Sequence, residues 1–113
     1  MDQQLAHAVL KDVIKRSGSL LLGLTSDRSL SGRNKGQARG FDRIVNEFII
    51  SNIKKEFPSH HVISEEGPSE QLSRYGSTWV IDPIDGSDNL ARGILAYSIS
   101  ISLFHDNEIV MGA

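Results

Sequence analysis

Two carboxylates three residues apart, Asp82 and Asp85, occur in the run Asp-Pro-Ile-Asp-Gly-Ser that ends at Ser87. Pro83 favours extended backbone at Asp82, and Gly86 permits an unusual dihedral angle just beyond Asp85, so both side chains can converge on one point. Oxygen donors with no histidine or cysteine nearby suit magnesium or manganese better than zinc. The same residue types also form ordinary β-turns with helix-capping acids, and the local sequence is compatible with both interpretations.

Further acids precede this run. Glu65 and Glu66 follow a short strand pattern, which would bring one glutamate beside Asp82 if the two strands are neighbours in a sheet. A solvated acidic loop is the alternative interpretation of this pair. Asp42 falls in the first turn of a predicted helix, where the helix macrodipole stabilises an acid without any further role. These acids become informative only in combination.

Two long amphipathic helices must position the acids. Apolar residues at helical spacing predict one helix over residues 3–24 and a second from Phe41 to Phe57, because Pro58 cannot continue it. Residues 25–40 lack periodicity and are rich in glycine, serine and basic residues, which predicts a mobile loop. This loop either folds over an anionic substrate or is a solvated connection. Its basic residues are Arg28, Arg33, Lys35 and Arg39.

Short strands follow the helices. β-branched and aromatic residues predict strands over residues 61–64 and 78–82, and the second strand delivers Asp82 at its end. Strict alternation of apolar residues with serine predicts a third strand over residues 97–103. A hairpin turn is predicted at residues 105–108, just before the apolar C-terminal residues.

Composition excludes several classes of protein. The 113 residues suffice for one domain, and 39% hydrophobic with 23% charged residues is typical of a globular chain. A net charge of −2 gives no overall attraction to nucleic acid, and no apolar run approaches the roughly 20 residues that span a bilayer. The chain has no cysteine and no signal-peptide pattern. We therefore expect a cytoplasmic protein without a nucleic-acid or membrane partner.

The order of the acids resembles the signature of the inositol monophosphatase family, which has an isolated aspartate, a Glu-Glu pair and then Asp-Pro-Ile-Asp-Gly-Thr/Ser. Here these are Asp42, Glu65-Glu66 and Asp82 to Ser87. Residues 46–60 also look like the family's second helix and its Pro-Ser turn. Residues 89–94 are similar to the archaeal subgroup of dual inositol monophosphatases and fructose-1,6-bisphosphatases.

This resemblance implies a fold class and a metal cofactor. The implied fold is α+β, with two N-terminal amphipathic helices packed on a mainly antiparallel sheet, as the N-terminal layer of the α/β/α/β/α sugar-phosphatase fold. The implied cofactor is Mg²⁺, as two or three ions. Glu65, Asp82 and the Ile84 carbonyl would hold the first ion, and Asp82 would bridge to a second ion that Asp85 also binds.

The remaining implied roles concern water and substrate. Glu65 with the Ser87 hydroxyl would orient the attacking water. Asp42 would act from the edge of the site, through water or a third ion. The backbone N–H groups that open a short helix would bind the phosphate group. They belong to Gly86, Ser87 and Asp88. The implied substrate is a small anionic phosphate ester, either inositol monophosphate or fructose 1,6-bisphosphate.

The resemblance also implies that residues 1–113 are the N-terminal metal-binding domain of a longer enzyme, with the C-terminal half absent. The second half of family members carries a Trp-Asp-x-x-Ala-Gly motif, whose aspartate completes a metal site, and this sequence lacks that motif. For the complete enzyme we expect inhibition by lithium and a homodimer. The alternative is a short, catalytically inactive metal-binding or oligomerisation module, which an exposed apolar edge at residues 109–113 would favour.

Overall fold

The computed structural model describes residues 2–26, 35–64, 76–85 and 98–113. In these ranges β1 runs parallel to β2, while β2 with β3 and β3 with β4 are antiparallel, in the sheet order β1-β2-β3-β4. The expected α+β fold, with two helices on a mainly antiparallel sheet, is confirmed. In chain order the elements are α1 (Gln3–Ser26), α2 (Lys35–Glu56), β1 (His61–Ser64), β2 (Ser77–Asp85), β3 (Ser98–His105) and β4 (Glu108–Gly112).

The core lies between the helix pair and the sheet, with α1 packed against β3 and α2 against β2. α1 begins after Asp2, whose side-chain Oδ1 accepts the Leu5 N–H at 3.0 Å and so caps the helix. Neither helix, within the ranges described, is long and apolar enough to cross a membrane. Buried residues recur at helical spacing on the helices and at alternate positions on the strands: Ala6, Val9, Val13, Val45, Ile49, Ile53, Trp79, Ile81, Ile101 and Leu103.

Both helices extend further than the apolar pattern predicts. α1 continues to Ser26 and α2 begins at Lys35 rather than at Phe41, so the predicted loop over residues 25–40 is wrong at both ends. Residues 35–40 lack apolar periodicity, but they include the good helix formers glutamine, alanine and arginine, and each glycine costs only about 1 kcal/mol in a helix. The helix therefore propagates back from its amphipathic part. Arg28 and Arg33 lie outside the described residues.

A two-residue turn joins β3 to β4, as the sequence predicts. Asp106 and Asn107 have φ angles of 49° and 66°, the geometry of a type I′ hairpin turn. Asp106 also contacts Gly76 in two ways. The Gly76 N–H donates to the Asp106 carboxylate at 2.9 Å, and the Asp106 N–H donates to the Gly76 carbonyl at 2.9 Å. These bonds fix the start of β2 against the end of β3.

Two glycines give opposite expectations for the same substitution. Gly76 has a φ of +85°, which alanine adopts only under strain, although an added Cβ would meet no atom within 4 Å. We expect Gly76→Ala to lower the free energy of unfolding by about 1–2 kcal/mol. Gly18, inside α1, is equally open, so Gly18→Ala should raise the free energy of unfolding by up to about 1 kcal/mol. Urea unfolding measures the change in free energy of unfolding for each variant. Equal changes would contradict the positive φ angle at Gly76.

His60 links the turn after α2 to the fully buried Trp79 of β2. Its ring stacks on Phe57 at a centroid distance of 4.4 Å, and its Nδ1 accepts the Trp79 Nε1–H at 3.0 Å. A ring nitrogen that accepts a hydrogen bond carries no proton, so this contact requires neutral histidine. Burial lowers the pKa of His60 below its ordinary value of 6.5, and nearby positive charge from His105 and Lys54 lowers the pKa further.

Low pH is expected to lower the stability of the folded protein through His60. Because the pKa of His60 is lower in the folded protein than in the unfolded chain, the unfolded chain binds more protons below about pH 6.5. This contribution to stability is fully present above pH 6.5 and is lost as the pH falls from there through the lowered pKa. His60→Asn keeps an acceptor near the Nδ1 position without titrating. The melting temperature of this variant should fall less than that of the unmodified protein between about pH 7.5 and about pH 5. Identical melting profiles for the two proteins would contradict this.

Candidate active site

The two acids of the Asp-Pro-Ile-Asp run lie on one strand rather than in a turn after it. β2 continues through Pro83 to Asp85, so the predicted end of this strand at Asp82 is wrong. Asp82 is opposite Ser100 and Asp85 is opposite Ser98, so β2 carries one more residue than β3 over this interval. Such an extra residue is a β-bulge, a position where a strand tolerates proline.

The bulge changes the direction of one carboxylate. Side chains three positions apart on a regular strand point to opposite faces of the sheet, because the side-chain period is two. Ser98 and Ser100 are two positions apart and share a face, and residues directly opposite each other across a strand pair also share a face. The register therefore places Asp82 and Asp85 on the same face. Asp82 follows the core residue Ile81, so this face points away from the helices.

Pro83 and Ile84 lie within the bulge, and both side chains are buried. In the described parts of β2 and β3, neither residue has a register partner on β3. A bulge locally disrupts the regular ladder, so the backbone at Pro83 and Ile84 is out of the regular register with β3. This position is compatible with the expected use of the Ile84 carbonyl as a metal ligand, which stays a prediction.

Asp42 is buried on the inner face of α2, at 4% exposure. It is the eighth residue of a helix that begins at Lys35, so its predicted place in the first turn is wrong. The macrodipole acts within the first turn and does not account for this acid. Asp42 shares its helix face with the buried Val45, Asn46 and Ile49. A carboxylate at such a position is costly unless partners compensate for its lost hydration.

Two buried carboxylate oxygens are of the donor type that a hard cation binds. Oδ1 of Asp42 and Oδ1 of Asp82 are inaccessible to solvent and accept no hydrogen bond from the part of the chain that the structure describes, although each residue has other interactions. Carboxylate oxygens are the donors that Mg²⁺ prefers. Within the described ranges, no three acidic or histidine side chains lie close enough to hold an ion. Asp42 is on α2, whereas Asp82 and Asp85 are on β2.

Several expected site residues lie outside the described residues, and their roles stay predictions. They are Glu65, Gly86, Ser87 and Asp88. The chain positions next to them are described. Ser64 ends β1 beside Ile81 in the parallel register, and Asp85 ends β2. Glu65 therefore follows a residue that is paired one position before Asp82.

Two buried polar residues near the site, Asn46 and Ser64, are not among the residues that the sequence predicts. The Ser64 hydroxyl donates to Asn46 Oδ1 at 2.6 Å. The sequence does contain a signal for these two residues, because Asn46 follows Asp42 by one helical turn and Ser64 immediately precedes Glu65. Polar residues on the apolar side of a helix or strand pattern indicate a buried hydrogen bond.

The sequence and the structure match one family of proteins. The family model for the inositol monophosphatase family matches residues 2–113. An inositol monophosphatase of Dictyostelium discoideum is 34% identical over 116 residues, covering 98% of this chain and 42% of that protein. A fructose-1,6-bisphosphatase/inositol-1-monophosphatase of Thermotoga maritima is 37% identical over 71 residues, covering 63% of this chain and 27% of that protein.

Among solved structures, inositol monophosphatase II of Staphylococcus aureus MSSA476 superposes with a TM-score of 0.85 at 26% identity, covering 96% of this chain and 41% of that chain. Two helices on a mixed sheet thus form the N-terminal portion of an inositol monophosphatase fold. The chain belongs to the inositol monophosphatase family. It spans less than half the length of these relatives.

Proposed function

We propose that the complete protein is a Mg²⁺-dependent phosphomonoesterase that hydrolyses inositol monophosphate, fructose 1,6-bisphosphate or both. The observation that carries this proposal is the β2 bulge, whose register places the carboxylates of Asp82 and Asp85 on one face of the sheet. The names of the relatives, one an inositol monophosphatase and one a fructose-1,6-bisphosphatase/inositol-1-monophosphatase, support this substrate class.

Four groups of this chain would hold two Mg²⁺ ions, with Asp82 shared between them. The other three are the Asp85 and Glu65 carboxylates and the Ile84 carbonyl, so all are hard oxygen donors. The buried Oδ1 of Asp82 supports this choice. When bound, such ions lower the pKa of water and stabilise charge on the attacking and leaving oxygens of phosphoryl transfer.

Other residues of the chain would orient the water and the phosphate group. The Glu65 carboxylate accepts hydrogen bonds and the Ser87 hydroxyl both donates and accepts them, so together they can align a water molecule. Asp42 would act from the edge, through water or a third ion, and its burial on α2 supports a defined position. Backbone N–H groups would donate to phosphate oxygens. These belong to Gly86, Ser87 and Asp88.

Phosphate release by the complete protein tests this function. We expect turnover of inositol monophosphate or fructose 1,6-bisphosphate in Mg²⁺, loss of turnover in EDTA, recovery when Mg²⁺ is restored, and inhibition by lithium. A nucleoside monophosphate serves as the comparison substrate. Activity that survives EDTA undiminished would contradict the metal requirement, and turnover restricted to the nucleotide would contradict the substrate class.

The proposed enzyme is a cytoplasmic homodimer. β4 carries Ile109, whose side chain is 70% exposed, and this apolar surface supports contact with another part of the protein or a second subunit. Light scattering on the complete protein measures the oligomeric state. A protein that associates and binds Mg²⁺ but releases no phosphate from any substrate would favour the alternative, an inactive metal-binding or oligomerisation module.

A further inference from the structure

A buried hydrogen bond joins α2 to the last residue of β1. The Ser64 hydroxyl donates to Asn46 Oδ1 at 2.6 Å, and both residues are buried. A buried hydrogen bond of this kind contributes about 1 kcal/mol net to stability, and it forms only when its donor and acceptor lie at hydrogen-bond distance. The pair therefore helps to fix the relative position of the helix and the strand.

Asn46 and Ser64 are close in the sequence to residues of the proposed metal site. Asn46 lies one helical turn after Asp42 on the same buried face of α2. Ser64 is in register with the residue before Asp82, and Glu65 follows Ser64 directly in the sequence. The hydrogen bond thus fixes the end of β1, from which the chain enters the Glu-Glu pair, relative to the helix that carries Asp42.

The ladder that holds β1 is short. It is four residues long, and within the described ranges it pairs with β2 alone. Parallel pairing is slightly less stable per residue than antiparallel pairing, so a strand this short is weakly held by its ladder. A side-chain hydrogen bond at its last residue restricts the strand where the proposed site begins.

We propose that Asn46 and Ser64 form a positioning pair for the metal site, holding the start of the Glu-Glu segment and the Asp42-bearing helix in the relative positions that metal binding requires. This inference rests on the proposed function. The pair acts through the ligands rather than by contact with the ion or the substrate. Groups that orient metal ligands in this way contribute about 10- to 100-fold in metal affinity or activity.

Threonine and valine at position 64 isolate the hydroxyl, because they have the same shape and only threonine can donate. In the complete protein we expect Ser64→Val to weaken Mg²⁺ affinity by calorimetry about 10-fold and to lower kcat similarly, and Ser64→Thr to restore most of both. Asn46→Ala should act comparably, and the double variant should lose little more than either single variant. Ser51→Ala is the matched control, since Ser51 is an exposed serine of α2 whose hydroxyl donates to the Phe48 carbonyl of its own helix, 3.1 Å away.

A purely structural hydrogen bond predicts a different pattern. Ser64→Val would then lower the melting temperature while Mg²⁺ affinity and kcat of the folded protein stay unchanged, and this result overturns the positioning role. If Ser64→Val does not fold, Ser64→Ala takes its place, and wild-type Mg²⁺ affinity in that variant overturns the role equally. A wild-type protein that neither binds Mg²⁺ nor releases phosphate overturns the proposed function and the positioning role together. An active wild type with unaffected variants overturns the positioning role alone.

Discussion

Replacing Asp82 with asparagine should reduce the phosphatase activity of the complete protein by about 100-fold or more. Bound metal ions supply several kcal/mol of transition-state stabilisation in phosphoryl transfer, and each 1.4 kcal/mol corresponds to about tenfold in rate. The asparagine side chain would keep the shape of the aspartate but lose the charge that would bridge two ions. The measurement is kcat/KM for phosphate release at saturating Mg²⁺, together with Mg²⁺ affinity by calorimetry.

Asp12→Asn is the matched control for this substitution. Asp12 is an exposed acid of α1, 3.1 Å from Arg16, and exposed ion pairs of this kind contribute at most about 1 kcal/mol to stability. We expect its activity and Mg²⁺ affinity to equal those of the unmodified protein. Full activity in Asp82→Asn would refute the two-metal assignment, whatever the control shows.

Replacing Trp79 with alanine should destabilise the protein by about 3–5 kcal/mol, a large share of the stability of a typical domain. The Trp79 side chain is fully buried, and it lies between Val62 of β1 and Leu103 of β3 in the pairing register. Its loss leaves a cavity in the core and removes the donor to His60. Chemical denaturation of the folded protein gives the change in free energy of unfolding, and the soluble yield reports failure to fold.

Two further variants calibrate the Trp79 prediction. Trp79→Phe keeps an aromatic ring but removes the N–H group. It should lower the free energy of unfolding by less than Trp79→Ala does and by more than a substitution at an exposed position does. Lys11→Ala, at an exposed position of α1, should change the free energy of unfolding by no more than about 0.5 kcal/mol. A Trp79→Ala protein as stable as Lys11→Ala would show that Trp79 does not form part of the core.

The elements of this fold can be predicted because their apolar periods are local. Spacing of three and four over residues 3–24 and alternation with serine over residues 97–103 give the element types, and the structure extends both elements by a few residues. Helix starts are harder to predict. The part of α2 before Phe41 has no apolar pattern, so its first residues cannot be found from hydrophobicity.

The arrangement of the acids depends on long-range pairing, which the sequence does not specify. The spacing of Asp82 and Asp85 is visible in the sequence, but their common face arises from a bulge whose partners, Ser98 and Ser100, are on another strand. The position of Asp42 can be predicted in part from the sequence. Its burial could be derived from its spacing to Val45 and Ile49 once the helix start is known, because these residues share one helix face.

Anomalous diffraction from Mn²⁺ in crystals of the complete protein tests the proposed site most directly. Mn²⁺ takes the same hard oxygen ligands as Mg²⁺, and its anomalous signal identifies the ion without reference to activity. We predict a peak within coordination distance of the Asp82 and Asp85 carboxylates, on the face of the sheet away from the helices, and its loss in Asp82→Asn. Mn²⁺ bound elsewhere, with no peak beside Asp82, would contradict the assignment of the metal site to the β2 bulge.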